Sequence, residues 1–311
     1  MENILITGGA GYVGGYLVDL MISKNKNIFV YDNLTYERQY FKDINFVYGD
    51  ILDTNKLIKV IKSNKITKII WLAALVGDGA CSINKNLTYK INFESLENLK
   101  KNIDIPIVFV STCSVYGQSD DLIFEDSKTN PLSVYAETKL MAESLINLEH
   151  STIIRLGTLF GISDQFSRIR LDLVVNLLTL KAVNGEPISI FGGEQYRPLL
   201  HVKDVAHAIL YIIENDITGI YNLAYKNFTI KEIGLQIQKH FPDINLKFVD
   251  QHFQDNRNYK VSFESISNKG WLPKLTIDDG INELKNIFFE NRIKNTQDPI
   301  FSNFDFLKQK N

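Results

Sequence analysis

The stretch NILITGGAGYVG, residues 3–14, carries the strongest structural signal in the chain. Residues 3–7 form the apolar, β-branched run of a buried strand, and Gly8, Gly11 and Gly14 follow it with the spacing GxxGxxG. Gly8 permits a tight turn after the strand, Gly11 lets the backbone approach a pyrophosphate, and Gly14 lets the next helix pack close to the sheet. The freed N–H groups and the helix dipole stabilise an anion there. A strand followed by these glycines and then by a helix predicts a dinucleotide-binding turn.

Downstream of this turn, short apolar runs alternate with stretches of helical periodicity. The predicted strands are residues 3–7, 28–31, 46–48, 68–72, 105–110 and 152–155, and the predicted helices are 12–23, 54–63, 87–102 and 134–148. Several of the strands are apolar throughout, as expected when a parallel sheet is covered on both faces. The alternation predicts an α/β fold with a Rossmann-type, doubly wound parallel sheet.

The second half of the chain is less regular. It offers helices at 171–184, 205–214 and 277–291, strands at 188–191 and 220–223, and a capping box at Thr229 and Glu232. We therefore predict a dinucleotide-binding domain at 1–165, a smaller C-terminal α/β region at 166–292 and a tail at 293–311. No Gly/Ser/Pro-rich linker divides the halves, so we expect them to pack together. The tail, with Phe301, Phe304 and Phe306, either docks on the surface, frays or contacts a partner.

Composition narrows the class of protein. The chain has 311 residues, 45% apolar and 23% charged, with a formal net charge of −2, which are ordinary globular values. Near-neutral charge gives no reason to expect nucleic acid or a membrane as partner. Cys81 and Cys113 are too few for a disulfide framework or a cysteine-based zinc site, and we expect no metal. Without a basic, apolar leader at the start, the expected location is the cytoplasm.

An acidic residue ends the second predicted strand. Asp32 lies eighteen positions after Gly14, where a carboxylate accepts both ribose hydroxyls of an adenosine and repels a 2′-phosphate. It therefore predicts NAD rather than NADP as cofactor, although a simple strand-end cap would use the same residue. Other expected cofactor contacts adjoin the glycine turn or the strand ends, namely Tyr12, Val13, Asn33, Asp50, Ile51, Leu72, Ala73 and Ala74.

Tyr135 and Lys139 lie four residues apart on a predicted helix and so share a face. A free tyrosine has a pKa of about 10, too high for a base near neutrality. A neighbouring ammonium and the positive nicotinamide ring would favour the phenolate. Tyr135 could then take the proton of a substrate hydroxyl while hydride leaves the same carbon, with Lys139 also holding the nicotinamide ribose. Thr112, just past the fifth strand, could orient the substrate oxygen.

Together these motifs resemble the extended short-chain dehydrogenase/reductase family, in its NAD-dependent nucleotide-sugar epimerase/dehydratase branch. The matching segments are residues 7–14, Asp32, 50–51, 72–74, Asn92, 111–117, 135–139, 155–161, 197–204 and 255–261. The resemblance implies hydride transfer to bound NAD, usually from C4 of the sugar, and a C-terminal region that holds the nucleoside diphosphate. It also implies a homodimer built from the helices at 87–102 and 134–148.

Carried over residue by residue, the resemblance assigns roles to individual side chains. Thr112 and Tyr135 match the proton-handling pair, Lys139 the cofactor lysine, and Asn92 a cofactor position. Bidentate guanidinium groups suit phosphate oxygens. The expected substrate contacts are Asp78, Thr112, Ser114, Asn176, Arg197 and Arg257. His201 matches a position beside the nucleotide, although a buried structural histidine is an equally good interpretation.

Departures from the family pattern narrow the expected chemistry. The 4,6-dehydratases carry Asp-Glu directly after the catalytic Thr, where this chain has Cys113 and Ser114. Enzymes that epimerise C3 and C5 carry Cys two residues after it, where this chain has Ser114. A 4-dehydrogenase and a 4-epimerase therefore both stay open. The sequence is most similar in general appearance to enzymes of bacterial surface-polysaccharide biosynthesis that act on GDP-sugars such as GDP-manno-heptose. A non-catalytic NAD-binding regulator is disfavoured because Tyr135 and Lys139 are both present.

Overall fold

The computed structural model describes residues 2–37, 39–249 and 258–310. Its strands are β1 (Asn3–Thr7), β2 (Asn27–Asp32), β3 (Asn45–Tyr48), β4 (Lys68–Trp71), β5 (Ile107–Thr112), β6 (Leu122–Ile123), β7 (Thr152–Leu156), β8 (Thr158–Phe160), β9 (Ile188–Phe191), β10 (Tyr196–His201), β11 (Gly219–Leu223), β12 (Lys226–Thr229), β13 (Leu246–Val249) and β14 (Lys260–Val261). Its helices are α1 (Tyr12–Ser23), α2 (Thr54–Ser63), α3 (Asp78–Ile83), α4 (Lys85–Tyr89), α5 (Ser95–Lys100), α6 (Val134–Glu143), α7 (Val174–Val183), α8 (Val202–Glu214), α9 (Ile230–His240), α10 (Glu264–Ser267), α11 (Ile277–Phe289) and α12 (Asn303–Lys310).

The central sheet confirms the predicted Rossmann-type fold. Within the described residues it has seven parallel strands in the order β3-β2-β1-β4-β5-β7-β11. β1 pairs with β2 on one side, Ile4 opposite Ile28, and with β4 on the other, Ile4 opposite Lys68. The chain therefore winds outward from β1 in both directions, and the crevice at the carboxyl ends of β1 and β4 is where such sheets bind ligands.

Alternating side chains of β1 build two cores, one on each face of the sheet. Ile4 and Ile6 are fully buried in the cluster that joins α1 and α8, while Leu5 points to the cluster that joins α2, α5 and α6. Helices on both faces explain why the strands are apolar throughout.

The second half of the chain forms a smaller layer beside the sheet and also completes it. The strands β12-β10-β8 form a mixed sheet, and β9 pairs with β13, all packed with α7, α9 and α11 around Phe160 and Ile281. The capping box at Thr229 and Glu232 is present, with bonds of 2.8 and 3.0 Å. However, β11 joins the central sheet beside β7, and α8 covers one of its faces. The boundary drawn after residue 165 stays a prediction. β11 and α8 follow this boundary in the chain but pack with the first domain.

Two predicted helices differ from the structure. The helix expected at 87–102 is α4 and α5 joined by a turn of π-helix at Lys90–Glu94, and Asn92 in that turn bonds to the backbone of Leu75. A π turn admits an extra residue and is common at functional sites. The helix expected at 134–148 ends at Glu143, because the backbone then tightens into turns that lead the buried Ile146 back toward β7.

The C-terminal tail packs against the rest of the protein. A short 3₁₀ turn at Pro299–Phe301 leads into α12, and the side chains of Asn303 and Leu307 are buried. In the residues that the structure describes, no helix has the length and apolarity to cross a bilayer. The same residues contain no group of three His, Cys, Asp or Glu side chains placed to hold a metal.

Packing in the turn between β1 and α1 explains its glycines. Gly8 has φ +71°, and a Cβ there would lie 2.7 Å from the Ala73 nitrogen. A Cβ on Gly14 would lie 2.6 Å from the backbone of Gly9. Both contacts are too short for any side chain, so α1 can approach the sheet this closely only with glycine at these positions.

We predict that Gly14→Ala lowers the free energy of unfolding by about 1–3 kcal/mol, the usual cost of overpacking. Urea denaturation of wild type and variant would measure the loss. Gly79→Ala is the control, since a Cβ on Gly79 meets only the ring of Phe304, at 3.3 Å. Equal losses in the two variants would contradict the packing argument.

Candidate active site

A cavity of about 310 Å³ lies at the carboxyl ends of the central strands. It brings together most of the residues that the sequence singled out. The predicted residues that line it are Gly8, Gly11, Tyr12, Val13, Asp32, Asn33, Asp50, Ile51, Leu72, Ala73, Ala74, Asp78, Thr112, Ser114, Tyr135 and Lys139. Its size and mixed lining suit a small-molecule site.

The glycine turn leaves an open cradle at the start of α1. A Cβ on Gly11 would meet only the Gly8 carbonyl oxygen, at 3.3 Å, so the backbone there is accessible to a ligand. Behind the cradle, the Tyr12 hydroxyl donates to the carbonyl of Gly161 at 2.7 Å, which anchors α1 to the second half of the chain. Burial raises the pKa of Tyr12, so this phenol stays protonated and acts as a donor.

The carboxylate of Asp32 is held by backbone on both sides. Its Oδ2 accepts from the Ala10 nitrogen at 3.0 Å, and its Oδ1 accepts from the Leu34 nitrogen at 2.7 Å. Asn33 in turn donates to Asp50 at 2.9 Å. Burial raises the pKa of Asp32 while the backbone donors oppose the rise. An oriented carboxylate at the end of β2, next to an open glycine cradle, fits the adenosine ribose and pyrophosphate of NAD.

Tyr135 lies in the first turn of α6, and the cap of that helix is tied to the neighbouring loop. Ser133 accepts from the Ala136 nitrogen at 3.2 Å and donates to Asp78 at 2.6 Å. The Thr112 hydroxyl at the end of β5 donates to the Ser114 hydroxyl at 3.2 Å. Thr112 and Tyr135 both line the cavity, so the two proposed proton-handling hydroxyls belong to the same site.

Burial governs the charge state of the Tyr135 and Lys139 pair in the protein alone. It raises the pKa of Tyr135 above its ordinary range, and nearby Cys81 and Asp78 add to the rise. Burial also lowers the pKa of Lys139 to about 7, against the opposing carboxylate of Glu143. The expected lowering of the tyrosine pKa by the lysine is thus outweighed, and the positive nicotinamide ring remains the charge that would favour phenolate.

A buried ion pair fixes α6 against the sheet. The Arg155 guanidinium of β7 makes a bidentate pair with Glu143 of α6, with Nη2–Oε2 at 2.7 Å and Nε–Oε1 at 3.1 Å. Ser111 of β5 donates to the same carboxylate at 2.5 Å, and Arg155 also donates to the Tyr116 hydroxyl at 2.8 Å. Glu143 lies one helical turn after Lys139. The sequence did not lead us to predict this network. An acidic residue on the apolar face of the helix was the signal that could have indicated it.

Asn92 and Asn176, two of the predicted contact residues, lie outside the cavity lining. The Asn92 amide accepts from the Leu75 nitrogen at 2.8 Å and donates to the Leu75 oxygen at 3.0 Å, so it shapes the loop after β4. Asn176 accepts from the Gly161 nitrogen at 2.9 Å and donates to the Arg170 oxygen at 2.8 Å. Backbone groups thus occupy both amides, and the expected contacts with cofactor and substrate stay predictions.

The expected diphosphate clamp of Arg197 and Arg257 stays a prediction. Arg197 is buried outside the cavity lining and donates to the Tyr196 carbonyl at 2.8 Å. Arg257 lies outside the described residues. His201 is fully buried and pairs with Glu283 at 2.9 Å, which is the structural role that the sequence left open for it.

Several cavity residues escaped the sequence analysis. Arg168 stacks on Tyr36, 4.0 Å from the ring centroid, and Arg170 pairs with Asp172 at 2.6 Å. Asn303 of α12 lines the cavity with them. Two arginines in a loop after β8 were a visible signal, whereas nothing local indicated that the C-terminal tail reaches this site.

Comparisons with known proteins agree with this geometry. Residues 4–224 match the model of the NAD dependent epimerase/dehydratase family. UDP-glucuronic acid decarboxylase 6 of Arabidopsis thaliana is 28% identical over 302 residues, 90% of this chain and 86% of that protein. UDP-glucose 4-epimerase of Halalkalibacterium halodurans is 30% identical over 264 residues, 74% of this chain and 78% of that protein. A dTDP-glucose 4,6-dehydratase from Bacillus anthracis, solved with NAD, is 25% identical with a TM-score of 0.77, covering 94% of this chain and 97% of that one.

A glycine cradle, a carboxylate at the end of β2 and a Tyr/Lys pair in one cavity fit an NAD-dependent enzyme. The chain belongs to the NAD dependent epimerase/dehydratase family, and its cofactor is NAD. The family resemblance seen in the sequence is thereby confirmed.

The first prediction from this site concerns the Arg155–Glu143 pair. Arg155→Met should lower the free energy of unfolding by about 3–5 kcal/mol, because it leaves a buried carboxylate without its partner. Lys101→Met is the control. It removes an exposed pair with Glu97, at 2.9 Å, and should cost less than about 1 kcal/mol. Urea unfolding measures both, and a loss below about 1 kcal/mol in Arg155→Met would refute the structural role.

The second prediction concerns the dependence of stability on pH. Because Lys139 has a folded pKa of about 7, the unfolded chain binds a proton that the folded protein lacks between pH 7 and about 10. This residue therefore makes stability rise with pH across that window. Unfolding free energies of the NAD-free protein at several pH values should show the rise, reduced in Lys139→Met and retained in Lys59→Met, an exposed control. The same slope in wild type and Lys139→Met would contradict the assignment.

Proposed function

We propose that the protein oxidises C4 of a nucleoside-diphosphate sugar to a 4-keto sugar, with NAD as acceptor. The observation that carries the proposal is that Thr112 and Tyr135, with Lys139 one turn along α6, line the same cavity as the glycine cradle. The similar proteins act on UDP-glucuronic acid, UDP-glucose and dTDP-glucose by name, which supports a nucleotide sugar as substrate.

Each side chain has a defined part in the proposed step. The Thr112 hydroxyl orients the C4 hydroxyl of the sugar, and Tyr135 as phenolate accepts its proton. The bound NAD supplies the acceptor for the hydride that leaves C4. Lys139, one turn along α6, contributes a donor for the nicotinamide ribose. The carbon loses one hydride and its oxygen one proton, so the C4 alcohol becomes a ketone.

The residues after Thr112 disfavour reactions that need a further acid or base. Cys113 is fully buried, its thiol donates to the Arg155 carbonyl at 3.2 Å, and burial raises its pKa. It therefore does not offer a thiolate to a sugar. Ser114 lines the cavity without a carboxylate. A 4,6-dehydratase or a 3,5-epimerase needs an acid or base at these positions, so both are disfavoured.

The finer assignment rests on sequence appearance. We propose a GDP-sugar such as GDP-manno-heptose as the first substrate to test, and a cytoplasmic 4-dehydrogenase of capsular polysaccharide biosynthesis, working as a homodimer. A second candidate is a nucleotide-sugar 4-epimerase, which uses the same first step. The 30% identity to a UDP-glucose 4-epimerase favours it, since an epimerase needs no catalytic side chain beyond the same three.

The test is absorbance at 340 nm of the purified, NAD-loaded protein mixed with GDP- and UDP-sugars. We expect a stable rise with one sugar and a product two hydrogens lighter by mass. Tyr135→Phe should lower the rate by roughly 10²- to 10⁴-fold, the usual contribution of a positioned acid or base. Tyr48→Phe, at an exposed position, is the control and should keep the wild-type rate.

Other results would redirect the proposal. A product of unchanged mass and altered stereochemistry, without a lasting rise at 340 nm, would establish the 4-epimerase instead. Full turnover by Tyr135→Phe would remove the catalytic assignment altogether.

A further inference from the structure

The C-terminal segment Pro299–Lys310 touches both walls of the groove in which NAD lies. On the side of β2, Lys310 donates to the Thr35 carbonyl at 3.1 Å, and the ring of Phe306 packs on Tyr36 with centroids 5.0 Å apart. On the side of β4, Asn303 donates to the Val76 carbonyl at 2.7 Å. Leu307 is buried on the same side, against Leu75 and Cys81.

These two walls flank the pyrophosphate cradle. In the sheet order, β1 lies between β2 and β4, and the glycine turn follows β1. A dinucleotide bound in this fold runs from the end of β2, over the glycine turn, to the end of β4. A segment fastened to the loops after β2 and β4 therefore crosses the path of the cofactor.

A third anchor comes from the loop after β8. Arg168 donates to the Ile300 carbonyl at 2.7 Å and also to the side-chain oxygen of Asn303. Its guanidinium stacks on Tyr36, and its backbone nitrogen donates to Glu37 at 2.9 Å. Arg168 thus links the tail to the loop that follows β2.

Asn303 is the point at which these contacts meet. Its backbone nitrogen donates to Asp172 at 2.9 Å, its side-chain nitrogen to Val76, and its side-chain oxygen accepts from Arg168. The residue is 3% exposed and lines the cavity. Since protein groups satisfy its amide, its role is to hold the surrounding wall in place.

We propose that residues 299–310 form a strap across the NAD groove, with Asn303 as its positioning residue. NAD leaves only when the bonds to Val76, Arg168 and Thr35 break, so the strap slows release of the cofactor. The inference depends on NAD as cofactor and not on the sugar, and it is tested without any sugar present.

The experiment measures release of NADH. Full-length protein loaded with NADH is mixed with a large excess of NAD, and the loss of bound-NADH fluorescence gives the dissociation rate. We expect Asn303→Ala and a chain ending at residue 295 to release NADH at least about tenfold faster than wild type, since weakened contacts act mainly on dissociation. Gln309→Ala, exposed on the same helix, should match wild type.

An unchanged rate of NADH release from both altered proteins would refute the proposal of a strap. If the truncated chain does not fold, the release rate of Asn303→Ala alone tests the proposal. Faster release from the truncation with wild-type release from Asn303→Ala would overturn the role of Asn303. Failure of C4 oxidation would leave these rates unaffected, so the two proposals are refuted by different results.

Discussion

The bidentate ion pair between Arg155 and Glu143 is the constraint on which the catalytic geometry depends. It joins β7 to α6 inside the core, and Ser111 of β5 donates to the same carboxylate. Thr112 ends β5 and Tyr135 lies in the first turn of α6, so the pair and the Ser111 bond hold the two elements that carry these hydroxyls against each other. A buried ion pair favours folding only when its remaining polar atoms are satisfied. Here the guanidinium also donates to Tyr116 and to the Glu125 carbonyl, which completes the set.

The same buried surroundings oppose the proposed chemistry of Tyr135. Burial pushes Tyr135 and Lys139 toward their neutral forms, the opposite of what a phenolate base beside an ammonium requires. The reaction therefore needs a source of positive charge that arrives with the cofactor. Oxidised NAD carries that charge on its nicotinamide ring and the reduced form does not. Base strength in this site is consequently coupled to the redox state of the cofactor, so that the phenolate is favoured only when a hydride can be accepted.

Sequence was sufficient where local chemistry determines structure. Residues 3–7, 12–23, 54–63 and 188–191 have the predicted bounds, because glycine spacing, helical periodicity and β-branched runs act over a few residues. The roles of buried amides were harder to predict from the sequence. Asn92 and Asn176 have the polarity expected of ligand contacts, yet both bond to backbone. Nothing within a few residues distinguishes an amide that supports a loop from one that faces a substrate. The ion pair between Arg155 and Glu143 was missed for the same reason, since it is visible only after β7 and α6 are packed.

Distant contacts also determine how firmly the cofactor turn is held. The buried ammonium of Lys42 bonds to the Gly15 carbonyl at 2.5 Å and to Asp19 and Asp164 at 2.7 Å each. It thereby joins the first helix, the loop after β2 and the second half of the chain behind the glycine cradle. Arg168, four residues after Asp164, extends the same loop to the C-terminal segment on the open side. The loop after β8 thus braces the dinucleotide turn from behind and fastens the segment that crosses in front.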